Sequence, residues 1–173
     1  MDDNPYATPR AHVADQLVGS SAIEEFPRFS TWWVLLLSIV TLSIYMPYWM
    51  FTRTRVLHRV APEKPVPSAV IVISLLFFAV NIGFGVLEGV YPNDVMIKLY
   101  SQLLSIASGI SFVVWVLMFR NRLNALLGVT RESPLWLGAV LAFFFQILYL
   151  QYKINQAIDS RPVPSLGERK EPV

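Results

Sequence analysis

The feature that most limits what this chain can become is the clustering of its apolar residues into four long runs, at about 31–51, 68–90, 95–119 and 135–154. A helix rises about 1.5 Å per residue, so about 20 apolar residues suffice to cross the roughly 30 Å of hydrocarbon in a bilayer. None of the four runs carries Lys, Arg, Asp or His in its middle. The fourth is the shortest, and Tyr149, Tyr152 and Ile154 extend its end into the headgroup zone that aromatic rings favour. The sequence therefore predicts an all-α fold, an integral membrane bundle of four transmembrane helices at 30–155, with two tandem helical hairpins as one arrangement it permits.

Composition agrees. Of 173 residues 54% are hydrophobic and 15% charged, against about 45–50% and about 25% in an average soluble domain. The net charge of +2 gives no reason to expect a nucleic-acid partner. Without cysteine, disulfides, thiolate chemistry and Cys-based metal or iron–sulfur sites are excluded.

The flanks read differently. Residues 1–29 form a polar leader, expected to be mobile, in which Asn4-Pro5 and Thr8-Pro9 oppose a long helix. Its acidic residues Asp2, Asp3, Asp15, Glu24 and Glu25 are not those of a signal peptide, so the first run reads as a retained helix. Leu17, Val18, Ile23, Phe26 and Phe29 give its later part an amphipathic pattern that suits a membrane surface. Residues 156–173 are too polar and proline-rich to fold alone and are expected to be disordered. Ser30, Pro67-Ser68, Asn93-Asp94 and Ser133-Pro134 supply the caps and N-terminal prolines that open helices.

Four crossings put the loop holding Arg53, Arg55, Arg59 and Lys64 on the same face as the one holding Arg120, Arg122 and Arg131. Short loops dense in cations stay cytoplasmic, so this reading places both termini outside. Arg53-Thr54-Arg55 followed by Lys64 and Pro67 maps, at an offset of about 67, onto Arg120-Asn121-Arg122, Arg131 and Pro134. Duplication of a helical hairpin would produce that pattern, and so would chance in short basic loops.

The most distinctive segment is Thr41-Leu42-Ser43-Ile44-Tyr45-Met46-Pro47-Tyr48-Trp49, followed by Arg53 and Arg55. It reads as a span end: Pro47 removes a backbone donor, Tyr45, Tyr48 and Trp49 form an interfacial belt, and the arginines reach headgroup phosphates. With Arg120 and Arg122, these are the candidate lipid or partner contacts. The segment resembles the Thr-Leu-Gly-Ile-Tyr-x-x-Tyr-Trp signature of DUF4234, a family of small bacterial membrane proteins of unknown function. The similarity extends to Tyr149-Leu150-Gln151-Tyr152-Lys153-Ile154-Asn155, since members often close with Gln and Asn flanking the last span. Ser43 stands where the family usually has glycine. The resemblance implies a bacterial cytoplasmic membrane location and supplies no activity.

Small and polar residues recur at helical spacing: Asn81, Gly85 and Glu88; Ser101, Ser105 and Gly109; Gly138, Ala142 and Gln146. Such faces let helices pack within one chain, pair two copies, or line a polar path. Asn81 is the buried polar candidate, with Gln102, Ser105 and Gln146 as possible partners. Catalytic readings fail: Ser108-Gly109 lacks the glycine at 106 of an intramembrane protease motif, and no intramembrane His is available as base. His12 and His58 are too few and too separated for a metal site, and no phosphate loop is present. No cofactor is expected. The sequence points to a non-enzymatic, multi-pass structural or interaction protein of the cell membrane, its basic loops at anionic lipid or a membrane-protein partner. The alternative is a small oligomeric channel or carrier using the polar faces of the second to fourth runs.

Overall fold

The structure, a computed structural model, describes residues 22–160. All its regular elements are helical: a single 3-10 turn at Ile23–Glu25, then α1 (Thr31–Val40), α2 (Tyr45–Val60), α3 (Ser68–Val90), α4 (Val95–Leu127) and α5 (Ala139–Asp159). Among the described residues, only α3 and α4 are long and apolar enough to cross a membrane. They form an antiparallel pair, tied by Ser74 Oγ donating to the Ser111 carbonyl at 3.2 Å and by Asn81 Nδ2 donating to Ser105 Oγ at 2.6 Å. The pair is turned at residues 91–94, where Asp94 caps α4 by accepting from the amides of Met96 and Ile97.

The first apolar run is not one helix. After ten residues the chain reverses at 41–44 and returns as α2, so that Glu25, before α1, reaches Arg59 at the end of α2 at 3.6 Å. The reversal is locally satisfied. The Ser43 amide donates to the Ser38 carbonyl and the Leu42 amide to that of Ile39, the paired bonds of a left-handed helix stop, with φ of 69° at Ser43 and 49° at Leu42. Thr41 Oγ1 donates to the Leu37 carbonyl and accepts from the Tyr45 amide, closing one helix and opening the next. Short hydroxyl side chains compete in this way for backbone groups and favour helix ends. Pro47 then falls in the first turn of α2, where a missing N–H costs nothing. It marks a new helix start and not a kink in a continuous span.

The fourth run also folds back. Residues 131–138 are a loop rather than a helix start: Ser133 Oγ accepts from the Leu135 amide in a turn, and Gly138 is the residue that precedes α5. Within α5, Gln146 has φ 41° and ψ −122°. Eleven residues of straight helix span about 16 Å, yet the Gly138 amide donates to Tyr149 Oη at 3.0 Å and Lys153 Nζ to the Pro134 carbonyl at 2.6 Å. Residues 139–145 and 147–159 are therefore the two arms of a second hairpin. Two other limits move: α4 runs on past 119 to Leu127, and α5 past 155 to Asp159.

Burial is concentrated at one end. Trp49, Leu57, Trp115, Phe119, Leu123, Leu137, Leu150 and Ile154 are fully enclosed there, and the rings of Trp49, Trp115 and Phe119 meet edge to face or tilted with centroids 5.3–6.1 Å apart. Ile23 and Phe26 belong to this core, so part of the expected mobile leader is ordered and its amphipathic segment packs on protein, not on a surface. Pro5, Pro9, Leu17, Val18 and the tail beyond Ser160 lie outside the described residues. The opposite half of the α3–α4 pair stands bare: only 6% of the most apolar stretch of α3 is buried.

Both hairpins return to the packed end. Arg28 pairs with Asp159 at 3.1 Å and Glu25 with Arg59. Residues 22–30 and the end of α5 thus lie beside the basic loops, where four full crossings would have put them at the far end of α3–α4; the termini themselves lie outside the described residues.

Candidate functional site

Where the two elbows meet the α3–α4 pair they enclose a half-open cleft of about 240 Å³. Met46, Pro47 and Met50 line it from the start of α2, Ser74, Phe78 and Asn81 from α3, Ser105, Ser108, Gly109 and Phe112 from α4, and Gln146 from the elbow of α5. No lining residue is charged. The three non-glycine residues with positive φ, Leu42, Ser43 and Gln146, all belong to the two elbows. Such conformations cost about 1–3 kcal/mol each and persist where surrounding structure holds them. Asn81 spends its amide on Ser105, while the Gln146 side chain has no hydrogen-bond partner among the described residues.

An apolar groove of about 370 Å³ adjoins the cleft, formed by Ile106, Ile110, Val113, Val114 and Phe143 and sharing Gly109 and Gln146 with it. A Cβ at Gly109 would meet nothing within 4 Å. Gly109 is the open floor of the junction, not a point of close helix contact.

A second polar constellation lies in the packed core. Gln151 Oε1 accepts from Trp49 Nε1 at 3.0 Å and from Arg53 Nε and Nη2 at 3.4 and 3.3 Å, and its Nε2 donates to Asn155 Oδ1 at 2.9 Å. Asn155 in turn holds both backbone groups of Phe29, joining α5 to the entry of α1. Thr54 Oγ1 accepts from Trp115 Nε1 at 3.1 Å. Arg53 is 7% exposed and lies over the Trp49 ring. Burial pulls its guanidinium below the ordinary arginine value, and the neighbouring phenols of Tyr45 and Tyr48 oppose that shift.

The expected site residues divide accordingly. Asn81, Ser105, Gly109 and Gln146 come together in the cleft. Gly85 and Ser101 do not reach it, and Gly138 sits at the base of the second hairpin against Tyr149. Among the expected lipid contacts, Trp49 and Arg53 are enclosed in the core, because a helix that folds back carries its second arm into protein. Arg120 is half buried, donating to the Leu137 carbonyl and stacked on Trp136. Tyr48, Arg55 and, in part, Tyr45 and Arg122 face outward. Sequence reasoning did not find Gln151, Asn155 and Asn124 as structural polar residues. Asn124 brackets the Leu137 backbone, donating to its carbonyl and accepting from its amide. Their signal was the spacing of amides on otherwise apolar faces, which by itself names no partner.

The family model described as a domain of unknown function, DUF4234, matches residues 29–125, more than half of the chain. The chain belongs to the DUF4234 family. The matched part of this DUF4234 protein holds the first hairpin, α3 and nearly all of α4; the segment at 149–155 that resembles the family's closing residues lies beyond it. No curated protein matches the chain, and no solved structure does. The first elbow gives the signature a physical meaning: its glycine position is Ser43, where φ is 69°, a conformation glycine adopts without the clash a side chain brings.

Proposed function

We propose that this DUF4234 protein is a non-catalytic interaction protein of the cell membrane. In this reading α3 and α4 cross the bilayer as a hairpin, the two folded-back hairpins enter about halfway from one side, and the packed end rests among anionic headgroups. One observation carries it. Of the ten Lys and Arg among the described residues nine belong to the packed end, and Lys98 alone to the other. An apolar hairpin about 34 Å long, bare over the half away from the packed end and with cations gathered at that end, has the charge pattern that keeps basic segments cytoplasmic. The bilayer is the first partner, and the uncovered half of α3–α4 leaves room for a second copy or another membrane protein.

Arg55, Lys64, Arg122 and Arg131 are the outward cations to test, since each basic residue near an anionic surface contributes about 1 kcal/mol. Replacing all four by Gln removes about 4 kcal/mol of attraction on that scale. In nanodiscs of mixed phosphatidylcholine and phosphatidylglycerol, native mass spectrometry should show phosphatidylglycerol retained by the wild-type chain and lost from the variant. Equal retention by both would overturn the proposal.

A further inference from the structure

We infer that the cleft between the elbows, with the groove beside it, is a binding site for an uncharged lipid that carries a hydroxyl or carbonyl head. The inference goes beyond headgroup attraction, which concerns the opposite chemistry. Asn81 stands 13 residues into α3 and nine from its end, about 20 Å and about 14 Å along the helix. A pair that crosses the bilayer therefore places the cleft near mid-depth, where a polar group without a partner is costly. The unpartnered amide of Gln146, the Asn81 carbonyl oxygen and the Ser108 hydroxyl offer both donors and acceptors there.

The absence of any charged lining residue selects the ligand. A phosphate or carboxylate would lose its water with nothing to replace it, whereas a hydroxyl or carbonyl needs only one or two hydrogen bonds. Size agrees, since about 240 Å³ exceeds the roughly 150 Å³ of a cavity that holds a benzene ring, room for a small head but not for a whole lipid. The tail has a separate place in the larger apolar groove, which meets the cleft at Gly109 and Gln146. A cleft with polar groups in its wall, joined at Gly109 and Gln146 to a groove whose other lining residues are all apolar, matches a molecule with a small polar head and an apolar tail. The left-handed elbows are what keep Gln146 and the start of α2 turned toward that junction.

The test uses the full chain in phosphatidylcholine nanodiscs with a trace of a diazirine-bearing long-chain alcohol, and in parallel a diazirine-bearing phosphatidylglycerol. On photolysis the alcohol should label the peptides around Ser105, Gly109 and Gln146 above the rest of the bare α3–α4 surface. Unlabelled alcohol should compete for those positions. Gly109→Leu, which has space for its Cβ, should lower labelling there about tenfold, a loss of about 1.4 kcal/mol in binding, with an unchanged melting temperature. Even labelling over the whole apolar surface, no competition, or equal labelling of the cleft by the phosphatidylglycerol probe would each overturn the inference. Competition in the wild-type chain decides the matter even where Gly109→Leu fails to fold. Loss of phosphatidylglycerol retention in the four-cation variant is a separate readout, so the two proposals fail independently.

Discussion

Replacing Gln151 by Leu isolates the polar contribution of the buried network, because the two side chains are similar in size and no large cavity is opened. Gln151 is fully buried and, among the described residues, is the sole acceptor for two donors, the Trp49 indole and the Arg53 guanidinium. A buried neutral donor left without an acceptor costs about 1–3 kcal/mol, and a hydrogen bond to a charged group is worth about 1.5–3 kcal/mol. Asn155 also loses its donor, which loosens its hold on Phe29. Set against about 1 kcal/mol gained by burying an apolar side chain instead, the net destabilisation should be about 2–5 kcal/mol. Denaturant unfolding in mild detergent, followed by tryptophan fluorescence, measures it directly, since Trp49 reports its own loss of partner. Gln102→Leu, at an exposed position, should stay within about 0.5 kcal/mol of wild type. A Gln151→Leu variant within about 1 kcal/mol of wild type would refute the reasoning, because Arg53 could not then depend on that acceptor.

Three further outcomes follow from other parts of the fold. Ser43→Gly should stabilise the chain by about 1 kcal/mol by relieving a side chain at φ 69°, whereas Ser38→Gly within α1 should destabilise it by a similar amount; equal effects in the same unfolding assay would remove the elbow from the account. Asn124→Ala should cost about 1–3 kcal/mol by leaving the amide of buried Leu137 without its acceptor, its carbonyl keeping Arg120, and a melting temperature equal to wild type would contradict that. In this cysteine-free chain, single cysteines at Glu63, Asn121 and Ser160 should all be protected from an impermeant thiol reagent on intact cells while one at Asn93 reacts; labelling of Ser160→Cys together with Asn93→Cys would restore four full crossings.

The sequence by itself determined the helical class, the family, the two long apolar helices and the cap that opens α4. Each of these is local: hydrophobic run length, a signature nine residues long, and an Asp two and three residues ahead of the amides it accepts from. The first elbow was half legible. Thr41, Ser43 and Pro47 all favour a helix end followed by a start, but a run of apolar residues the length of a bilayer is also what a continuous span looks like, and length alone cannot separate the two. At Gln146 no signal was available, for Phe143-Phe144-Phe145-Gln146-Ile147 contains neither proline nor glycine. There the turn is held by contacts from distant residues, Tyr149 with Gly138 and Lys153 with Pro134. Which cations are buried, where residues 22–30 and the end of α5 meet and which amides line the cleft follow from those two reversals. A fold-back turns neighbours in sequence into opposite arms of a hairpin, so the partners of Trp49 and Arg53 and the place of Gln146 in the cleft are set by tertiary packing and not by spacing along the chain.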